Sequence, residues 1–322
     1  MYKRQGFDYF YGTPTSNDRV AHLYRNEKLI EPNSNMATLT RRYTDEAIAF
    51  IKRNHKQPFF VYLPHTLPHT RLDASHQFKG KSKRGLYGDV IEEIDFNVGR
   101  ILDLLDELKL SENTLVIFSS DNGPSPEGGQ TLQFFNSSGP LSGHKRSMKE
   151  GGIRVPTIAR WPGKIKAGQV SDLIFYQPDV LPSLAELCQG KAPDDVDGIS
   201  ILPTLLGEKA VGHKQKKRDM LYWEYGSQTA VRKGQWKAIQ PRKDRPWELY
   251  DLDKDVSETT SVAAERPQRL AEMHAFAAAS HEPVQPGTFT TRERHERRPP
   301  QDLRPQQRWF KLRRRQQQPY LY

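Results

Sequence analysis

Along residues 38–54, apolar or small side chains return at helical spacing (Tyr43, Ala47, Phe50, Ile51), which predicts a helix. The run Phe59-Phe60-Val61-Tyr62-Leu63 that follows is short, continuous and rich in aromatic and branched residues, and it predicts a buried strand. In residues 86–110 the residues Val90, Ile94, Val98, Ile101, Leu105 and Leu108 recur every three or four positions, the stripe of a long amphipathic helix. Ser111-Glu112-Asn113 closes it, and residues 115–118 read as the next strand. Strand, helix, strand in this order predicts a parallel pair within an α/β sheet. Beyond Met220 the texture changes to Tyr222-Trp223-Glu224-Tyr225, Thr229-Ala230-Val231, Trp236-Lys237-Ala238-Ile239 and Glu248-Leu249-Tyr250, broken by Lys233-Gly234 and Pro241. That pattern predicts a small antiparallel sheet, with a closing helix over residues 264–279.

At 322 residues the chain is long enough for a main core and a smaller one. The boundaries read as a main α/β domain over residues 1–215, a small C-terminal α+β subdomain over 216–282, and a tail over 283–322. No apolar run approaches the ~18 residues of a membrane span, so none is expected. Met1-Tyr2-Lys3-Arg4-Gln5 leads into Gly6-Phe7-Asp8 and not into an apolar stretch, so no secretory signal is visible. A single cysteine, Cys188, excludes an internal disulfide framework and a cysteine-based zinc site. The formal charge of +10 invites a nucleic-acid reading until it is located. Residues 292–322 hold nine Arg and one Lys against three acids, a net +7, which leaves about +3 for the rest. That tail is also rich in Gln and Pro and has no periodic apolar face, so it reads as disordered and no nucleic-acid partner is expected.

Two predicted strand ends carry chemistry. The first runs into Pro64-His65-Thr66-Leu67-Pro68-His69-Thr70 and the second into Asp121-Asn122-Gly123. In an open α/β sheet, ligands gather beyond the carboxyl ends of strands. A carboxylate beside an amide carbonyl offers oxygens to a hard cation, Ca²⁺ or Mg²⁺, although a cation needs more oxygens than two and Asn-Gly alone is also an ordinary turn.

The context decides between them. "RQGFDYFYGTPTSND", "PFFVYLPHTLPHT", "VIFSSDNG", "GHKRSMKEGGIRVPTIARWPG", "DGISILPTLL" and "WELYDLDKDVSETT" follow one another in the order of motifs of the sulfatase family, and the chain resembles arylsulfatase-like members of the alkaline phosphatase superfamily from about residue 6 to about residue 273. The resemblance implies an alkaline-phosphatase-like α/β/α sandwich, incomplete at the N-terminus, with the small antiparallel sheet and helix at the C-terminal end. It implies a sulfuric ester hydrolase acting on a sulfated small molecule or a sulfated polysaccharide. Carried over residue by residue, Asp121 and Asn122 are metal ligands, normally to calcium with magnesium as the other candidate. His69 contacts the ester and protonates the leaving oxygen, Lys145 neutralises sulfate charge, and His65 is a less secure member of the site. Glu150-Gly151-Gly152 and Arg154 fall to scaffolding, with the glycines allowing close backbone approach and Arg154 pairing with a buried carboxylate.

One departure stands against the agreement. The family's nucleophile is a cysteine in Cys-x-Pro-x-Arg, converted to formylglycine, whereas Cys188 lies in Leu187-Cys188-Gln189-Gly190-Lys191-Ala192. The family's opening Asp-Asp ligands and Gly-Lys-x-His loop have no counterpart, so the chain reads as N-terminally truncated and inactive as written. Family habit points to the periplasm or the extracellular space. Two other readings remain open: a catalytically dead protein that holds anionic glycans, and a phosphodiesterase or phosphonate hydrolase of the same superfamily.

Overall fold

The computed structural model describes residues 6–18, 20–126 and 131–282. The basic tail and the residue runs that complete the Asp121 loop lie outside these. The chain opens with a three-stranded antiparallel sheet, β1 (Tyr11–Gly12), β2 (Leu23–Arg25) and β3 (Lys28–Glu31), in that order. Two long helices follow, α1 (Leu39–Asn54) and α2 (Gly85–Glu107), close to the predicted spans. Their stripes meet: Ile51 of α1 and Leu104 and Leu105 of α2 are fully buried together, with Ile48, Ile101 and Leu108 around them.

Residues 59–63 differ from expectation. Phe59 and Val61 turn into the α1–α2 core while Phe60 and Tyr62 are 54% and 69% exposed, which is the alternation of a strand. Yet the segment joins no hydrogen-bonded ladder among the described residues. Its burial signal was real, but it reports packing on the helices and not pairing. The strand after α2 is β4 (Val116–Ser119), and here too the partner differs from a parallel neighbour. After β4 the chain makes a long excursion through α3 (Leu132–Phe135) and α4 (Glu150–Ile153), then returns as β5 (Thr157–Arg160). β5 pairs antiparallel with β4, Val116 opposite Arg160 and Ser119 opposite Thr157.

Three shorter helices, α5 (Val180–Leu187), α6 (Leu202–Leu206) and α7 (Glu208–Val211), lead to the C-terminal sheet. Asp179, fully buried ahead of α5, accepts hydrogen bonds from the Ile199 amide (2.8 Å) and the Tyr176 amide (3.0 Å) and pairs with Arg218, so it pins the approach to that sheet. The sheet is the predicted one: β6 (Leu221–Tyr225), β7 (Gln228–Lys233), β8 (Trp236–Gln240) and β9 (Glu248–Asp251), antiparallel throughout in sequence order. Alternate residues divide it between two cores. Val231, Ala238 and Leu249 face Met273 and Ala277 of α8 (Pro267–Ser280). Ala230, Ile239 and Tyr250 face the other way, onto Met148 and Ile153. The second face therefore supports the loop that carries Lys145.

Candidate active site

Asp121 and Asn122 lie just beyond the end of β4, and Lys145 lies on the excursion that leads to β5. Two main-chain bonds hold these loops together: the Gly123 amide donates to the Gly152 carbonyl (2.9 Å) and the Lys145 amide donates to the Pro124 carbonyl (2.8 Å). Such close approach requires glycine. A Cβ at Gly123 would stand 1.9 Å from the Gly151 carbonyl oxygen, and one at Gly152 would stand 2.1 Å from that of Ser147. The expected scaffolding role of Gly151 and Gly152 is thus visible as interlocked backbone.

The Asn122 side chain donates through Nδ2 to the Gly123 carbonyl (2.8 Å). Asp121 is exposed and Asn122 half-buried. Adjacent carboxylate and amide oxygens fit a hard divalent cation in kind. They do not complete one: among the described residues no group of three or more His, Cys, Asp or Glu comes together around a metal position.

His69 is half-buried and its backbone is anchored by Asn17, whose Nδ2 donates to the His69 carbonyl (3.1 Å). Its Nδ1 lies 2.7 Å from the Thr70 carbonyl, which only accepts, so the Nδ1 proton is fixed and Nε2 is the atom left to exchange a proton with a ligand. His69 shares a cavity of about 510 Å³ with Arg71 and with Arg146, the neighbour of Lys145. The fold thus gathers the His69 loop, the Lys145 loop and the Asp121-Asn122 strand end, which are far apart in sequence.

His65 behaves otherwise. Burial lowers its pKa to about 4, so the ring is neutral at physiological pH, and its Nδ1 is buried without a hydrogen-bond partner. Cys188, exposed at the end of α5, contributes nothing to this gathering.

Behind the Lys145 loop is an arrangement that sequence reasoning missed. Lys237 of β8 is fully buried, with its Nζ 2.8 Å from Glu150 Oε1 and 3.0 Å from Glu258 Oε1. Arg232 of β7 reaches Glu150 Oε2 at 3.0 Å, and the Glu150 amide donates to Glu258 Oε2 at 2.6 Å. Arg154 does approach Glu150, at 3.8 Å, but from a largely exposed position. Burial pushes the Glu150 carboxyl up, and Lys237 and Arg232 more than reverse this, holding it below the ordinary carboxylate range. At Glu258 burial outweighs Lys237 and the pKa is raised. The only sequence signal was a lysine on an inward position of a strand.

The comparisons with known proteins settle the lineage. The family described as Sulfatase matches residues 1–190, more than half of the chain. The chain belongs to the sulfatase family. The family described as N-sulphoglucosamine sulphohydrolase, C-terminal, matches residues 143–276. N-acetylgalactosamine-6-sulfatase of Mus musculus is 36% identical over 286 residues, which cover 81% of this chain and 53% of that protein. Steryl-sulfatase of Homo sapiens is 42% identical over 190 residues, 58% of this chain and 33% of that one. The chain therefore spans about a third to a half of the length of these curated relatives. Among solved structures, one from work on the metabolism of multiple glycosaminoglycans by Bacteroides thetaiotaomicron superimposes with a TM-score of 0.69 at 28% identity, covering 86% of this sulfatase chain and 62% of the other. Ps i-CgsB in complex with k-i-k-neocarrahexaose superimposes with a TM-score of 0.74 at 25% identity, covering 92% and 71%. The α/β fold of the sulfatases is thereby the fold of this chain. No described helix is long and apolar enough to cross a membrane.

Proposed function

We propose that the chain carries the anion-holding and leaving-group half of a sulfate-ester hydrolase site, with sulfated glycans as its substrate class. The observation that supports this most is the interlock that seats the Lys145 loop on the Asp121-Asn122 strand end while the neighbouring Arg146 shares a cavity with His69. Asp121 and Asn122 are the residues that would hold a calcium ion, which supplies positive charge to the sulfuryl oxygens when bound. Lys145 brings an ammonium to the same oxygens, where negative charge accumulates in the transition state. As the bond from sulfur to the leaving oxygen breaks, His69, protonated at both ring nitrogens for this step, gives that oxygen its Nε2 proton, so the glycan departs as a neutral alcohol. The sulfuryl group passes to a nucleophile, from which it is then released as sulfate.

That nucleophile, a formylglycine by family resemblance, is not supplied by Cys188, whose flanking Gly190 and Ala192 stand where the modifying signal has Pro and Arg. The 322-residue sequence as given is expected to bind sulfated ligands without turning them over. A sugar substrate is supported by relatives named for N-acetylgalactosamine-6-sulfate and by a structural neighbour solved with a carrageenan oligosaccharide.

The test is titration of the full chain with calcium, then with a sulfated disaccharide, alongside an assay on a chromogenic aryl sulfate. In a protein that supplies the further oxygen ligands a cation needs, Asp121→Ala should lose calcium, and Lys145→Ala should keep calcium and lose at least tenfold in affinity for the disaccharide. Unchanged calcium content in Asp121→Ala by elemental analysis would sink the metal assignment. Turnover of the aryl sulfate that disappears in Lys145→Ala while Cys188 remains an unmodified thiol would place the nucleophile elsewhere in this chain.

A further inference from the structure

The cavity beside His69 is lined by two arginines and one aspartate besides the histidine. Arg71, two residues after His69, and Arg146, one residue after Lys145, both line it, and both are exposed. They reach it from different loops, and each is held in place by groups outside the reaction. Arg71 donates through Nη2 to the Asp18 main-chain carbonyl at 3.1 Å, which uses one of a guanidinium's five donors. Arg146 sits at φ +76, a left-handed backbone that few side chains other than glycine adopt. The turn is clamped from the C-terminal sheet: Gln228 of β7 donates through Nε2 to the Arg146 carbonyl at 2.8 Å, and its Oε1 accepts from the Met148 amide at 3.4 Å. Strain of this kind persists where the surroundings over-determine it, and it gathers at ligand sites.

The other walls suit a sugar. Leu72 and Leu86 are apolar surfaces for the C–H face of a ring, Asp18 can accept from hydroxyls, and about 510 Å³ lies within the range of small-ligand cavities. Resting on the sulfate-ester reading above, the geometry points to Arg71 and Arg146 as a second anion subsite. It reads a carboxylate or a further sulfate on the glycan next to the ester held by Lys145, and so selects acidic glycans over simple sulfate esters. Forked guanidinium donors match both of these planar or trigonal oxygen sets, which is why the two anions share one chemistry.

The experiment is calorimetric titration of the full chain with defined probes: a sulfated uronate–hexosamine disaccharide, its carboxyl-reduced analogue, a disulfated analogue lacking the carboxylate, and the desulfated disaccharide. The wild type should bind the first about tenfold more tightly than the carboxyl-reduced form, and Arg71→Gln and Arg146→Gln should each shrink that preference to less than threefold. Arg71→Lys, which keeps charge and loses the fork, should retain part of it. Recovery of affinity by the disulfated probe assigns the subsite to either anion, and failure to recover assigns it to carboxylate alone; both support the proposal. Equal binding of the intact, carboxyl-reduced and disulfated forms overturns it, as does a preference that survives in both glutamine variants, or no binding of any probe. The desulfated disaccharide reports on the other reading separately. If it binds as tightly as the sulfated one, the sulfate site fails, whatever the carboxyl comparison shows. Thermal unfolding of each variant within about 2 °C of wild type confirms that a lost preference is not a lost fold.

Discussion

Replacing Lys237 by methionine tests the buried charge cluster behind the Lys145 loop. In the native protein one ammonium sits 2.8 Å from Glu150 and 3.0 Å from Glu258, and neither carboxylate is more than 1% exposed. Methionine keeps the volume, so the cavity contribution is small. It leaves Glu150 with Arg232 and, at 3.8 Å, Arg154, and takes from Glu258 the ammonium it pairs with; breaking a buried pair by removing one partner costs about 3–5 kcal/mol. At roughly 2–4 °C per kcal/mol for a fold of this size, Tm should fall by about 6–20 °C at pH 7.5. The pH dependence has a fixed sign. A carboxyl whose folded pKa lies above its unfolded value, as at Glu258, gives stability that is full below the unfolded pKa and is lost as pH rises through the folded one. Without Lys237 both carboxyls move up, so the variant should regain ground on the wild type as pH is lowered from 7.5 toward 5. Glu258→Gln added to Lys237→Met should restore part of the loss, since one unpaired charge is gone. Thermal unfolding by circular dichroism at both pH values reads all of this. A fall of less than about 2 °C at pH 7.5, or a gap that widens on acidification, would show that the cluster is not the support inferred here.

Gly123→Ala should cost about 1–3 kcal/mol by forcing the two loops apart and breaking the bond to Gly152, whereas Gly99→Ala within α2, where nothing meets a Cβ, should stabilise by about 0.5–1 kcal/mol; denaturant titration of both variants checks the contrast. His65, with its pKa lowered to about 4 by burial, should stay neutral in an NMR titration from pH 8 to pH 5. Its contribution, of order 3 kcal/mol, is present above the unfolded pKa of 6.5 and lost as pH falls toward about 4, so a midpoint near 6.5 in the native protein would refute its burial.

The helices and the C-terminal sheet were legible because their apolar positions repeat at 3.6 and 2 residues, and the burial of Val231, Ala238 and Leu249 against α8 follows that repeat. The partners of strands were not legible. Residues 59–63 and β4 both show strand-like composition, but which edge each strand meets depends on where a long loop returns the chain, and nothing local encodes that. At the site, the motif positions of His69, Asp121, Asn122 and Lys145 could be placed by resemblance, and the glycines between them by their freedom of backbone. Lys237 and Glu258 lie 87 and 108 residues from Glu150, so their meeting is a property of the fold alone. Nothing in the sequence pairs Arg71 with Arg146; they share a wall only in the fold.

The glycine interlock has a consequence for protein engineering. With Gly123 pressed on Gly151 and Gly152 packed over the Ser147 and His144 carbonyls, the strand-end loop and the Lys145 loop form a single casting of backbone. A chimaera whose crossover falls between residues 124 and 150 would join halves from different parents across a contact with no side chain to adjust. Recombination among sulfatases should therefore succeed when residues 121–154 travel as one cassette, and libraries that cut inside it should be depleted of folded members.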